Sequence, residues 1–263
     1  MTAPRSGNGP PPPPKPAKIP GKESIKPELP RRFYKGAAVG PCSGGGFVIH
    51  LDGRPIKTPR KRPLALPTEA LAAAVADEWS GQGDRIDPAT MPLTKLANTT
   101  IDAVSDESAA VAADVGRFAG SDLLCYRAEH PQELVERQAA AWDPVLGWAH
   151  RAFDAQLEAT SGIVFRAQAP SALAAVDRAV SALDPWRLTG LHVVTTLTGS
   201  AVLGLALLHG RLTAAEVWAA AHVDEDWQVS QWGEDAEASA RRAVRWQEMQ
   251  ATHRFLMLLG TSR

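Results

Sequence analysis

The stretch GGGFVIHLDGRPIKTPRKRPLALPTEALAAAVADEW, residues 44–79, marks the point where the chain changes from a β pattern to a helical one. Within it, the runs FVIHL (47–51) and RPIKT (54–58) are rich in residues that favour strands. They flank Asp52-Gly53, a dipeptide that favours a two-residue type I′ turn. The sequence therefore predicts a β-hairpin here, with several basic side chains on or beside it.

The sequence that follows the hairpin has a helical period. Leu71, Val75 and Trp79 recur at i, i+4 and i+8, which places them on one apolar face of a helix and predicts that all three belong to the core. Segments with the same period continue almost to the end of the chain. The predicted fold class is therefore α+β, with a small N-terminal β-rich domain at 31–92 followed by a larger all-α helical domain at 93–263.

Residues 1–30 have a different composition from the rest of the chain. Ten of these residues are proline and the charged ones are mostly basic, so we predict a disordered, Pro-rich basic arm. No apolar run typical of a signal peptide follows the first charges. The prolines would also interrupt the amphipathic helix of a mitochondrial presequence. These features predict neither a secretory leader nor a mitochondrial presequence.

One uncharged segment has the length of a short membrane span. LHVVTTLTGSAVLGLALL, residues 191–208, contains 18 residues, which is close to the lower limit for crossing a bilayer. It also contains four Thr or Ser side chains, two glycines and a histidine. A buried central helix is the better interpretation, and we predict no membrane insertion.

Charge is distributed unevenly along the chain. Residues 1–62 carry 13 basic and three acidic side chains, whereas the remainder carries 15 basic and 26 acidic ones. Such asymmetry is found in nucleic-acid-binding arms and in proteins with an electrostatically matched partner. The basic hairpin lacks the alternating surface aromatics of a single-strand binder, so we predict no nucleic-acid partner.

The segment HVDEDWQVSQWGEDAE, residues 222–237, concentrates carboxylates around two tryptophans and has four interpretations. A metal site is disfavoured because consecutive acids on a helix diverge by about 100° and cannot converge on one ion. A carboxylate pair for hydrolysis would require the chain to turn at Gly233. A solvated helix end is the simplest interpretation. A protein-recognition surface is the fourth, with tryptophans as anchors and carboxylates that set the register.

Sequence motifs of catalysis are absent. The chain contains no G-x-S-x-G, no G-x-G-x-x-G and no G-x-x-x-x-G-K-[ST], and its seven histidines have no metal-ligand spacing. We therefore predict that the protein is not an enzyme and uses neither a cofactor nor a metal. A small carboxylate-based hydrolase, with or without a metal, that uses the acidic cluster at 224–235 remains the alternative.

Three motifs occur together and in a fixed order: LDGRPIKTP at 51–59, MPLTKLANT at 91–99 and DEDWQ…WGED at 224–235. In this combination the chain resembles the assembly chaperones of the F-type ATP synthase catalytic head, the family of ATP synthase mitochondrial assembly factor 2. The resemblance covers roughly residues 32–260. It does not include the Pro-rich arm.

The resemblance implies a cofactor-free, non-catalytic chaperone with a β-rich N-terminal unit and a helical C-terminal domain. It implies one-to-one binding, by a monomer, of the unassembled α subunit, which is protected from aggregation until it pairs with β. Eukaryotic members work in the mitochondrial matrix, and this chain is expected to be a bacterial, cytoplasmic member. The resemblance and the recognition-surface interpretation together predict six partner-binding residues: Glu225, Asp226, Trp227, Trp232, Glu234 and Asp235.

Overall fold

The computed structural model describes residues 28–162 and 164–260, and it has the predicted α+β fold. A four-stranded sheet near the N-terminus is followed mostly by helices, with one short two-stranded parallel sheet among them. Most of the predicted arm, residues 1–27, lies outside the described residues. The strands are β1 Ala37–Pro41, β2 Phe47–Leu51, β3 Arg54–Pro55, β4 Ala65–Leu66, β5 Tyr126–Arg127 and β6 Thr160–Ser161. The helices are α1 Glu69–Ser80, α2 Pro92–Thr99, α3 Ser108–Gly120, α4 Gln132–Phe153, α5 Pro170–Ser181, α6 Pro185–Thr198, α7 Ala201–Leu208, α8 Ala214–Ala221, α9 Val223–Trp232 and α10 Ala236–Leu258.

The predicted hairpin is present. Asp52 and Gly53 have φ angles of 48° and 80°, the positive values that a type I′ turn requires, and β2 pairs antiparallel with β3. The structure adds two strands that the sequence did not predict. β1 pairs antiparallel with β2 in the register Ala37↔Leu51, and β4 pairs with the start of β2. A single strand, β2, therefore organises the whole N-terminal sheet.

Helix α1 packs on this sheet along the predicted face. Leu71 and Val75 are fully buried against Ile49 of β2, and the Thr68 side chain caps the first turn of α1. Trp79 packs against the same apolar cluster, but it is only partly buried, so the prediction of a core position holds only in part.

The N-terminal sheet and the helices after residue 92 are held together by apolar and polar contacts. Leu93 of α2 and Phe255 of α10 belong to the same apolar cluster as the sheet. The buried Asp102 carboxylate accepts hydrogen bonds from Thr58 Oγ1 (2.6 Å) and from the backbone N–H of Arg60 (3.0 Å). The division of the chain into domains at 31–92 and 93–263 stays a prediction.

The uncharged segment 191–208 is buried, as predicted, but it forms parts of two helices. Gly199 adopts a left-handed conformation (φ 72°) that ends α6, and Ser200 starts α7 by accepting a hydrogen bond from the Leu203 N–H (3.0 Å). The prediction of one continuous helix was wrong because the apolar pattern does not show this reversal. No helix within residues 28–162 and 164–260 has both the length and the apolar character needed to cross a bilayer.

Asp122 is a fully buried carboxylate beside this helix reversal. Its Oδ1 accepts from the Leu124 N–H and its Oδ2 from the Val202 N–H, each at 3.1 Å, so it ties the start of α7 to the turn before β5. Burial outweighs these bonds and raises the pKa of Asp122 to about 6. The folded state therefore binds this proton more tightly than the unfolded state does.

This pKa shift predicts a pH-dependent contribution to stability. Because the folded pKa lies above the unfolded value, the contribution of Asp122 grows as the pH falls from about 7 to about 5, by about 1 kcal/mol. The measurement is urea unfolding of the wild type and of Asp122→Asn at both pH values, since the variant shares every other titrating group. The unfolding free energy of the wild type minus that of Asp122→Asn should be about 1 kcal/mol larger at pH 5 than at pH 7. The same value at both pH values would contradict the prediction.

Candidate partner-binding surface

The acidic segment forms a bent pair of helices rather than one long helix. The predicted capping box, Thr213 with Glu216, starts α8. The backbone departs from helical geometry at His222 (φ −119°, ψ 21°), where α8 ends and α9 begins. At Gly233 the φ angle is 85°, which reverses the chain, and the Asp235 side chain then caps α10. The turn at Gly233 thus folds α10 back along α9, so that Arg242 of α10 reaches Asp226 near the start of α9.

One face of α9 packs on α4. The Arg137 guanidinium carbon lies 4.9 Å from the centre of the Trp227 ring, a cation–π contact, and Trp227 is half-buried. Beside it, Asp224 Oδ1 accepts a hydrogen bond from Gln138 Nε2 at 2.6 Å. This face of α9 is therefore occupied by contacts within the chain.

A neighbouring face of α9 forms a groove with the first turns of α10. The groove has a volume of about 290 Å³. Trp232, at the end of α9, is 88% exposed, and Val229 one turn earlier is 42% exposed. The groove is lined by Glu225, Gln228, Val229, Trp232, Gly233, Asp235, Ala238, Ser239 and Arg242.

Two of the predicted site carboxylates make structural contacts around the helix pair. Asp226 forms an ion pair with Arg242, which joins α9 to α10 across the turn. Asp235 accepts a hydrogen bond from the Ala238 N–H at 2.7 Å, which is the usual contact of an N-cap residue. These two side chains shape the groove.

The other two predicted carboxylates remain on the surface. Glu234 is exposed and accepts from Ser239 Oγ at 2.6 Å. Glu225 is also exposed, and its Oε2 lies 3.7 Å from Nε2 of His222. Burial lowers the pKa of His222, whose Nδ1–H donates to the Trp218 carbonyl at 2.7 Å. The imidazole is therefore neutral at neutral pH and leaves the Glu225 charge uncancelled.

The six predicted site residues thus separate into three groups. Glu225, Trp232 and Asp235 line the groove, with Glu234 at the turn beside them. Asp226 pairs with a groove residue, and Trp227 faces α4. Sequence analysis missed Arg242 and Arg137. Arg242 contacts Asp226 and Arg137 contacts Trp227, and both contacts join residues that are distant in the sequence.

The fold and much of the sequence are similar to those of known proteins. The model of a family described as "ATP12 chaperone protein" matches residues 31–150. The crystal structure of Atp12 from Paracoccus denitrificans is 43% identical, with a TM-score of 0.84 and coverage of 88% of this chain and 98% of that one. The chain belongs to the ATP12 chaperone family.

Two further proteins extend the comparison. The crystal structure of the Atu1473 protein, a candidate chaperone from Agrobacterium tumefaciens, is 47% identical, with a TM-score of 0.85 and coverage of 88% of this chain and 87% of that one. The mitochondrial protein atp12 of Schizosaccharomyces pombe is 27% identical over 225 residues, which cover 78% of this chain and 75% of that protein. The resemblance to the chaperones of ATP synthase assembly is therefore confirmed.

The geometry of this ATP12 family member does not support the hydrolase alternative. The carboxylates of the acidic motif are distributed around α9 and the turn after it, and three of them, Asp224, Asp226 and Asp235, are engaged in structural contacts. Within the part of the chain that the structure describes, no group of three or more His, Cys, Asp or Glu side chains is arranged to hold a metal ion. The groove instead offers an exposed indole with negative charge beside it.

Proposed function

We propose that this ATP12-family chaperone binds the unassembled α subunit of the ATP synthase catalytic head and covers its exposed interface until α pairs with β. The observation that supports this most directly is Trp232, which is 88% exposed at the end of α9 and lines a groove together with Glu225. In this proposal the chain acts as a monomer in a bacterial cytoplasm, and it works by binding rather than by catalysis.

The chemistry of the groove fits this task. An assembly subunit without its neighbours exposes apolar surface and is prone to aggregation. An exposed tryptophan in a shallow groove is a typical interface anchor, because it buries a large area at a small cost in side-chain entropy. Carboxylates at the rim, such as Glu225, select a basic partner surface and speed association without making release slow. Such a contact suits a chaperone that must let its partner go.

Reversal of the two surface charges tests the proposal. In the double variant Glu225→Lys/Glu234→Lys, we expect normal folding and a loss of affinity for free α on the order of tenfold or more, because the rim then repels a basic partner surface. The measurement is a pull-down of α from a lysate of the organism, followed by titration with purified α. A matched control reverses two exposed acids outside the groove, Asp77→Lys/Glu107→Lys.

The outcomes test separately whether the protein binds α and whether the groove is the binding site. Capture of α by the wild type and the control, but not by the groove variant, supports both. Equal capture by all three proteins contradicts the site. If the folded wild type captures no α at all, the proposed function is wrong.

A further inference from the structure

A second pocket lies on the N-terminal unit, between the segment that precedes β1, the β2–β3 hairpin and the end of α1. Its volume is about 530 Å³. It shares no residue with the α9–α10 groove. The residues on which its character depends are Phe33, Tyr34, Arg54, Ile56, Lys57 and Trp79.

Aromatic rings form the apolar part of this pocket. Phe33 is 74% exposed, and its ring meets the buried Tyr34 edge-on with the ring centres 5.4 Å apart. The Tyr34 ring continues to Trp79 at 5.7 Å, and the Tyr34 hydroxyl donates to the Trp79 carbonyl at 2.7 Å. The Trp79 Nε1–H is buried but finds no hydrogen-bond acceptor among the described residues. The Trp79 residue also lines the pocket, so a ligand bound there would lie close to the indole.

The rim of the pocket is positively charged. Arg54 and Lys57 are exposed, and neither forms an ion pair with any residue in 28–162 or 164–260. The Asp52 carboxylate, which also lines the pocket, accepts hydrogen bonds from the Lys35 and Gly36 N–H groups at 3.0 Å each. The Asp52 carboxylate is therefore engaged by the backbone just before β1. Arg54 and Lys57 remain available to pair with a ligand.

We propose that this pocket binds an extended acidic protein segment that carries one apolar side chain. The apolar side chain would lie against Phe33, and flanking carboxylates would pair with Arg54 and Lys57. Charge complementarity argues for this occupant, because Arg54 and Lys57 line the pocket and its one carboxylate, Asp52, is engaged with backbone N–H groups. Single-stranded nucleic acid would need several open ring faces for stacking, whereas Tyr34 is buried.

This inference does not depend on the proposed function. The α9–α10 groove is acidic and suits a basic surface, whereas the pocket beside Phe33 is basic and suits an acidic one. A chaperone with two docking points of opposite charge can hold one partner in a defined orientation, or two segments at once.

The test uses the full chain and a fluorescein-labelled peptide, acetyl-Glu-Asp-Leu-Asp-Glu-amide. At low salt, the fluorescence anisotropy of the labelled peptide should rise as protein is added. Binding should weaken at about 0.5 M salt, because salt screens exposed charge pairs. In a proton–nitrogen NMR spectrum, the unlabelled peptide should move the indole N–H signal of Trp79, identified from its loss in Trp79→Phe. The double variant Arg54→Glu/Lys57→Glu should lower peptide affinity by about tenfold or more, since both paired charges are reversed.

A control variant and an oligonucleotide test whether the pocket binds an acidic peptide specifically. Lys95→Glu, an exposed charge reversal on α2 outside this pocket, should leave peptide affinity within about twofold, since an exposed charge away from a contact contributes little. An unmoved Trp79 signal, or equal affinity of the double variant and the wild type, would overturn the proposal. Binding of a single-stranded oligonucleotide to this pocket in place of the peptide would overturn it in favour of nucleic acid.

Discussion

Trp232→Ala is expected to weaken binding of the free α subunit on the order of a hundredfold while leaving the melting temperature unchanged. The Trp232 side chain is 88% exposed, so its removal takes little packing from the folded chain. An indole that becomes buried at the centre of an interface typically contributes about 2 to 4 kcal/mol to affinity, which gives the expected factor. The effect should exceed that of the charge reversals at the groove rim, which act mainly on association.

The measurement is titration of purified α with the wild type and the variant, together with thermal unfolding of each. Met257→Ala is the matched control, because Met257 is also exposed (67%) but lies at the opposite end of α10. It should leave affinity for α unchanged. A variant at Trp232 that binds α like the wild type would show that this indole is not the anchor.

Trp142→Ala is expected to destabilise the protein by about 4 kcal/mol, because it removes a large side chain from a packed core and leaves a cavity. Trp142 lies on α4 and is 1% exposed. Its Nε1–H donates to the Ala220 carbonyl at 2.7 Å, and the Arg127 guanidinium lies 5.0 Å from the ring centre. The loss therefore includes a buried hydrogen bond at the end of α8, directly before α9.

Urea unfolding of the wild type and the variant measures this loss. Trp142→Phe provides the comparison, because it retains much of the ring volume and removes the hydrogen bond, at an expected cost of about 1 to 2 kcal/mol. Binding of α by Trp142→Ala should fall only as far as the folded fraction falls. A stable Trp142→Ala protein that fails to bind α would contradict the assignment of Trp142 to the core.

The local parts of the structure were predictable because a few neighbouring residues determine them. Asp52-Gly53 accepts the two positive φ angles of a tight turn, so the hairpin follows from two residues. The apolar face of α1 follows from the spacing of Leu71 and Val75, and the start of α8 from Thr213 and Glu216.

The candidate site was predictable only as a list of residue types. The acidic segment stood out by composition, but the spacing did not show that Trp227 would face α4 while Trp232 would face solvent. It also did not show that Asp226 would be engaged with Arg242, because that contact requires the chain to reverse at Gly233. The basic pocket beside Phe33 was missed, since its residues come from three separate parts of the sequence.

Turn chemistry, helical periodicity and the three ordered motifs were therefore enough to establish the α+β class and to suggest the family. The packing of α9 against α4 and α10 determined which tryptophan and which carboxylates are exposed. The physical reason is that a side chain's own type and spacing set its local conformation, whereas its exposure and its charge partners depend on residues that are distant in the sequence.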